Sequence, residues 1–235
     1  MVYVFISDCT QIVENSRVGI SDTAKLIYSR LPKSIMERID GTKNENQRLM
    51  RIFAYGLLNY ALKLTQGDAD YAIEWGAQGK PCLTLAGRGS DVKINLSHTE
   101  KMCAVAVSDE GDVGVDIECE IPHDKAERLK KRLFSDIKIC AENKISHIEY
   151  HLFEYSEQGE ICEARGSEKY LLEGVAEDDY TALWTMGEAM MKCDGRGFLA
   201  VGNLADLSNK MNVDTTCISL KNKRYTVSVA TYKKQ

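Results

Sequence analysis

Between residues 43 and 65 the apolar side chains fall on one line. Leu49, Phe53, Gly56, Leu57, Tyr60, Ala61 and Leu64 follow one another at intervals of three and four, the period of a helix with one buried face. Such a stripe has to be covered by another layer, and the flanking sequence supplies short alternating runs. VYVFI (2–6), YAIEW (71–75), VKINLS (92–97), MCAVAVS (102–108) and VGVDIE (113–118) read as strands. Gly79-Lys80-Pro81 turns the chain after the second of these. Asp109-Glu110-Gly111-Asp112 joins the last two as an expected hairpin.

The pattern then returns. A basic amphipathic helix is expected from Pro122 to about Phe134, carrying the run Lys125 to Arg132. Residues 141–180, punctuated by Gly159, Gly166 and Gly174, read either as a hairpin or as an extended excursion. TALWTMGEAMMKC (181–193) is helical in pattern and closes on Asp194-Gly195-Arg196-Gly197. Strands are expected at 198–201, 217–220 and 225–232, the last two joined by a Lys-Asn-Lys-Arg turn. Helix followed by meandering strands thus occurs twice, with a seam near 119–122. The expected fold class is α+β, with similar modules at 1–120 and 121–235, each a small, mostly antiparallel sheet packed with helices.

Composition narrows the function. A formal charge of −5 argues against a nucleic-acid binder, because such domains usually carry a basic excess. No run approaches the ~20 apolar residues that span a bilayer, and Met1 to Cys9 alternates like a strand rather than a signal peptide. The eight cysteines show no CxxC pair, so a cytoplasmic protein with reduced thiols is expected.

Two places carry candidate chemistry. In VGVDIECE (113–120), Val113, Val115 and Ile117 alternate into a core, leaving Gly114, Asp116 and Glu118 on the other face. Neighbouring carboxylates repel unless a cation or solvent separates them, which suits a hard ion such as Mg²⁺. A solvated strand face explains the same pattern. On the helix at 181–193, Trp184, Glu188 and Lys192 share one ridge at i, i+4 and i+8. Alone, an ordinary surface ion pair explains it.

Gly79-Lys80-Pro81, Asn95-Leu96-Ser97-His98, Gly114-Val115-Asp116-Ile117-Glu118, Trp184-Thr-x-x-Glu188-Ala-x-x-Lys192 and Gly195-x-Gly197 occur in that order. The series resembles the 4′-phosphopantetheinyl transferases, in their long, surfactin synthetase-activating form, over roughly residues 30–200. The resemblance implies a pseudo-dimer of two α+β modules with coenzyme A in the cleft between them. It implies Asp116, Glu118 and Glu188 as ligands of Mg²⁺, or Mn²⁺ in its place. Arg48, Lys80, Ser97, His98, Asp116 and Lys192 would contact coenzyme A, with Glu118 and Lys192 as the catalytic pair. The partner would be an apo acyl, aryl or peptidyl carrier protein, with no nucleic acid or membrane involved, and the chain would act as a monomer. Three departures stand out: Gly187 where the family has lysine, Lys138 where it has glutamate, and a long 141–180 segment. They motivate a rival reading, a coenzyme A- or carrier-binding homologue with weakened catalysis.

Other features have plainer readings. His147 and His151, four apart, could clasp a metal on a helix, but solvent exposure explains them as well. Met186, Met190 and Met191 read as core packing, and Cys193 as a packed thiol. The basic run 125–132 is either a solvated helix face or a dock for an acidic carrier.

Overall fold

The computed structural model describes residues 1–15, 22–68, 70–85, 87–122, 144–156, 158–164, 171–173, 175, 179–197, 200, 204–220 and 223–234. The helix expected after Pro122, the 125–132 run, Lys138 and most of the strand expected at 198–201 lie outside them.

The striped segment is α4 (Glu45–Gln66), preceded by three short helices, α1 (Thr10–Asn15), α2 (Asp22–Ser29) and α3 (Lys33–Asp40). Asn44 caps α4: its side chain accepts from the Gln47 amide, satisfying one of the donors a helix start leaves open. Burial runs further round α4 than the stripe foretold. Met50, Ile52, Ala54 and Leu58 are covered as well, whereas Leu64 is 57% exposed. Gly56 lies where the Tyr155 hydroxyl passes to donate to the Phe53 carbonyl at 2.6 Å; a Cβ there would stand 2.8 Å from the Tyr155 hydroxyl oxygen.

The strands before the midpoint are β1 (Val2–Asp8), β2 (Tyr71–Trp75), β3 (Pro81–Leu85), β4 (Arg88–Gly89), β5 (Lys93–His98), β6 (Met102–Ser108) and β7 (Val113–Cys119). Later come β8 (Ile148–Tyr155), β9 (Ile161–Glu163), β10 (Leu171–Glu173), α5 (Tyr180–Asp194), α6 (Leu204–Lys210), β11 (Met211–Leu220) and β12 (Lys223–Tyr232). They form a five-stranded sheet ordered β5-β6-β1-β8-β9, a four-stranded sheet ordered β10-β11-β12-β7, and a small β2-β3-β4 sheet. All pairings are antiparallel except β1 with β8. Within 141–180, β8 and β9 pair as a hairpin.

The acidic turn at 109–112 does not close a hairpin. β6 pairs with β1 and β5, while β7 crosses to the other sheet and pairs with β12. The reason is that both strands bury both faces. Val113, Val115 and Ile117 join Val2, Val4, Ile6, Met102 and Ala104 in a core between the two large sheets. Phe5, Cys103, Val105 and Val107 face the opposite way, into the α4 core, and Leu183, Ala189, Met190 and Met191 of α5 join a third cluster that includes Ala230 of β12. The order is helix, sheet, sheet, helix. The connectivity strand, helix, hairpin occurs twice: β1, α4, β5, β6, and then β7, α5, β11, β12, with strand orders β5-β6-β1 and β11-β12-β7.

The sheets do not divide the chain at residue 120, because β7 lies in the second sheet and β8 and β9 extend the first. His151 lies on β8 and His147 just before it, so the two do not share a helix face. Among the described residues no helix is long and apolar enough to cross a membrane.

Candidate functional site

Gly114 decides where α5 sits. A Cβ at this position would lie 2.0 Å from the Ala189 carbonyl oxygen and 2.4 Å from the Cys193 amide nitrogen, so strand and helix meet backbone to backbone. Asp116, two residues along on the same face, is thereby pressed against the α5 ridge. The Lys192 ammonium donates to Asp116 Oδ1 at 2.6 Å, to Ser97 Oγ at 3.0 Å and to the Val115 carbonyl at 3.2 Å. Ser97 donates to the same Oδ1 at 2.8 Å.

Asp116 is 4% exposed, and its other oxygen, Oδ2, is buried with no hydrogen-bond partner among the described residues. Glu188 shares the space. Burial raises its pKa, the Asp116 charge raises it further, and Lys192 opposes both. A buried, unpartnered carboxylate oxygen on Asp116 beside the partly buried Glu188 fits the donor chemistry of a hard divalent ion. Glu118 stands two residues further along β7, half-buried. Among the described residues no group of three or more His, Cys, Asp or Glu side chains is drawn together as a metal cage.

Beside these carboxylates opens a cleft of about 250 Å³. Arg38 from α3, Arg51 from α4, Lys80 from the β2–β3 loop, His98 from β5 and Lys192 from α5 line it. Among the described residues no carboxylate does, so four cations face one space. Arg51 is held by Thr42, whose Oγ1 accepts from it at 2.7 Å. Lys80 donates to Asp112 at 2.7 Å and to the Cys193 carbonyl at 2.5 Å, tying its loop to the end of α5. The Arg38 guanidinium lies 3.9 Å above the Trp75 ring, and Tyr55 meets that ring edge-on.

The sequence-predicted residues Lys80, Ser97, His98, Asp116, Glu188 and Lys192 therefore meet, with Glu118 at the margin. Arg48 does not join them. It sits in the first turn of α4, 3.9 Å from Asp40, and the cleft is reached one turn later by Arg51. Arg51 lies beside the apolar stripe of α4, a place readable from the helical period, whereas the Arg38–Trp75 stack joins segments far apart in sequence and left no local signal. Gly187 is buried within α5. Cys193 is a packed thiol whose Sγ lies 3.3 Å from the Asp112 carbonyl, and burial pushes it to about 12.

His98, expected from the resemblance to contact coenzyme A, is not a charged donor at neutral pH. Burial, then Arg51 and Lys192, lower its pKa from 6.5 to about 4, with Asp116 opposing, so the imidazole is neutral at pH 7. Between pH 6.5 and about 4 the unfolded chain takes up a proton that the folded chain refuses, and stability falls as pH falls. His98→Gln should remove about 3 kcal/mol of that acid-side loss. Melting temperatures of both proteins across pH 7 to 4 check this; parallel curves would show an imidazole that titrates normally.

No family model matches the chain. Over 61 residues it is 41% identical to the 4′-phosphopantetheinyl transferase AcpT of Salmonella typhi, and equally to that of Salmonella typhimurium (strain LT2). The match covers 26% of this chain and 30% of each relative, so it spans less than a third of their length. Over that stretch the chain is similar to a 4′-phosphopantetheinyl transferase, and the match speaks to that superfamily rather than to its surfactin synthetase-activating form.

Proposed function

We propose that the protein transfers 4′-phosphopantetheine from coenzyme A to a serine of an acyl, aryl or peptidyl carrier protein, releasing adenosine 3′,5′-bisphosphate. One observation carries the reading: a cleft lined by four cations lies beside the buried Asp116 and the partly buried Glu188, with Lys192 shared between cleft and carboxylates. Coenzyme A brings a pyrophosphate and a 3′-phosphate, and charged donors bind such groups strongly. The partial similarity to transferases agrees with it.

In this reading Arg51, Lys80 and Lys192 hold the phosphates, and Arg51 takes the place first given to Arg48. Neutral His98 serves as a hydrogen-bonding group toward the phosphates. Asp116, Glu118 and Glu188 would hold Mg²⁺, or Mn²⁺. When bound, that ion supplies neutralisation of the phosphoryl oxygens and of the leaving group. The carrier serine oxygen bonds to the β-phosphorus while the bond to the bridging oxygen breaks. Glu118 accepts the serine proton, and Lys192 donates to the departing bisphosphate. The repeated connectivity supports a pseudo-dimer acting as one cytoplasmic monomer, since a single chain brings both walls of the cleft.

The test is incubation with coenzyme A, Mg²⁺ and an apo carrier, read by intact mass. A gain of one phosphopantetheine arm supports transfer. Coenzyme A binding without a gain would favour the weakened homologue, and absence of binding would sink both.

A further inference from the structure

Each large sheet ends at one side in a strand that lies against the other sheet's end, β5 of the first and β7 of the second. No backbone pairing joins them, yet an edge strand's amides and carbonyls need partners. Val115 shows how they are met. Its N–H donates to Asn95 Oδ1 at 3.0 Å, and its carbonyl accepts from Lys192. Asn95 is 5% exposed. Two residues further along, Ser97 Oγ donates to Asp116 Oδ1. Two further again, Thr99 Oγ1 donates to Glu118 Oε2 at 3.3 Å. The donors and acceptors ascend together on the two segments: 95 with 115, 97 with 116, 99 with 118.

We infer that Asn95, Ser97 and Thr99 form a side-chain ladder that fixes β7 against β5, with Asn95 and Thr99 as positioning residues for Asp116 and Glu118. The positioning role rests on the transfer reading, whereas the ladder itself does not. Alternation puts the three on one face of the strand and its extension, so a register slip of one residue would undo every rung. Thr99 acts through Glu118, whose Oε2 accepts from its hydroxyl and is held in place by it.

Three variants of the full chain test the ladder. Thr99→Val should lower kcat about tenfold and leave KM for coenzyme A within about twofold, the pattern of a lost transition-state interaction. Thr99→Ser, which keeps the hydroxyl, should restore most of the rate. A wild-type kcat in Thr99→Val, or equal losses in both, overturns the positioning role.

Asn95→Ala should speed hydrogen exchange at the Val115 amide about tenfold relative to the Asp116 amide, which alternation turns toward β12. General loosening of the fold would speed both amides, so the ratio is the readout. An unchanged ratio overturns the ladder whether or not the carrier is ever loaded. Failure of the transfer reading shows separately, as a wild-type chain that never loads a carrier.

Discussion

Glutamine in place of Glu188 should raise the melting temperature at neutral pH and abolish phosphopantetheine transfer in the same protein. The carboxylate is desolvated and lies beside Asp116, so its pKa is raised above 4.5. A raised acid costs the folded state stability at pH values where it must ionise and costs nothing where both states hold the proton. The gain over wild type should therefore shrink as pH falls toward 4.5. Asp116→Asn should lose transfer equally without becoming more stable, because Lys192 and Ser97 both bond its Oδ1. The expected loss is about a thousandfold, or about 4 kcal/mol of transition-state stabilisation. Melting curves and intact-mass rates decide it; near-normal turnover in either variant would remove these carboxylates from the mechanism.

A single methyl group at Gly114 should do more damage than most core truncations. The Cβ of Gly114→Ala would meet the Ala189 oxygen at 2.0 Å, the Cys193 nitrogen at 2.4 Å and the Cys193 Cα at 3.0 Å. All three are backbone atoms of α5, so no rotamer change relieves the clash and the helix has to lift. Overpacking typically costs ~1–3 kcal/mol, and lifting α5 also parts Lys192 from Asp116. A loss of about 3 kcal/mol or more is expected, read from denaturant unfolding, with transfer falling further than the folded fraction. A variant of wild-type stability would mean that strand and helix stand further apart than described.

Much of this was legible locally. The period of three and four marked α4, alternation marked β1 and β5 to β7, and the i, i+4 spacing put Glu188 and Lys192 on one ridge. What local pattern could not supply was partnership. The Asp109–Asp112 turn signals a reversal but says nothing of which strand receives the chain, and β7 pairs with residues more than a hundred positions away. β7 has one apolar face, and nothing local marks Gly114 and Asp116 on its other face as covered by α5. Arg51 outranks Arg48 at the cleft for a similar reason: the first turn of α4 is taken up by Asp40. Neutral His98 required knowing that two cations face a buried ring.

The crossing of β7 into the second sheet, answered by β8 and β9 returning to the first, makes the chain interlaced rather than jointed. Cut after residue 120, the leading piece would keep β7 but lose β12, the strand that β7 zips onto, and the trailing piece would keep β8 without β1. Each fragment would display the raw edge that the other is shaped to cover. Swelling of one layer therefore strips its neighbour, and the two carboxylate-bearing elements, β7 and α5, hold or fail together.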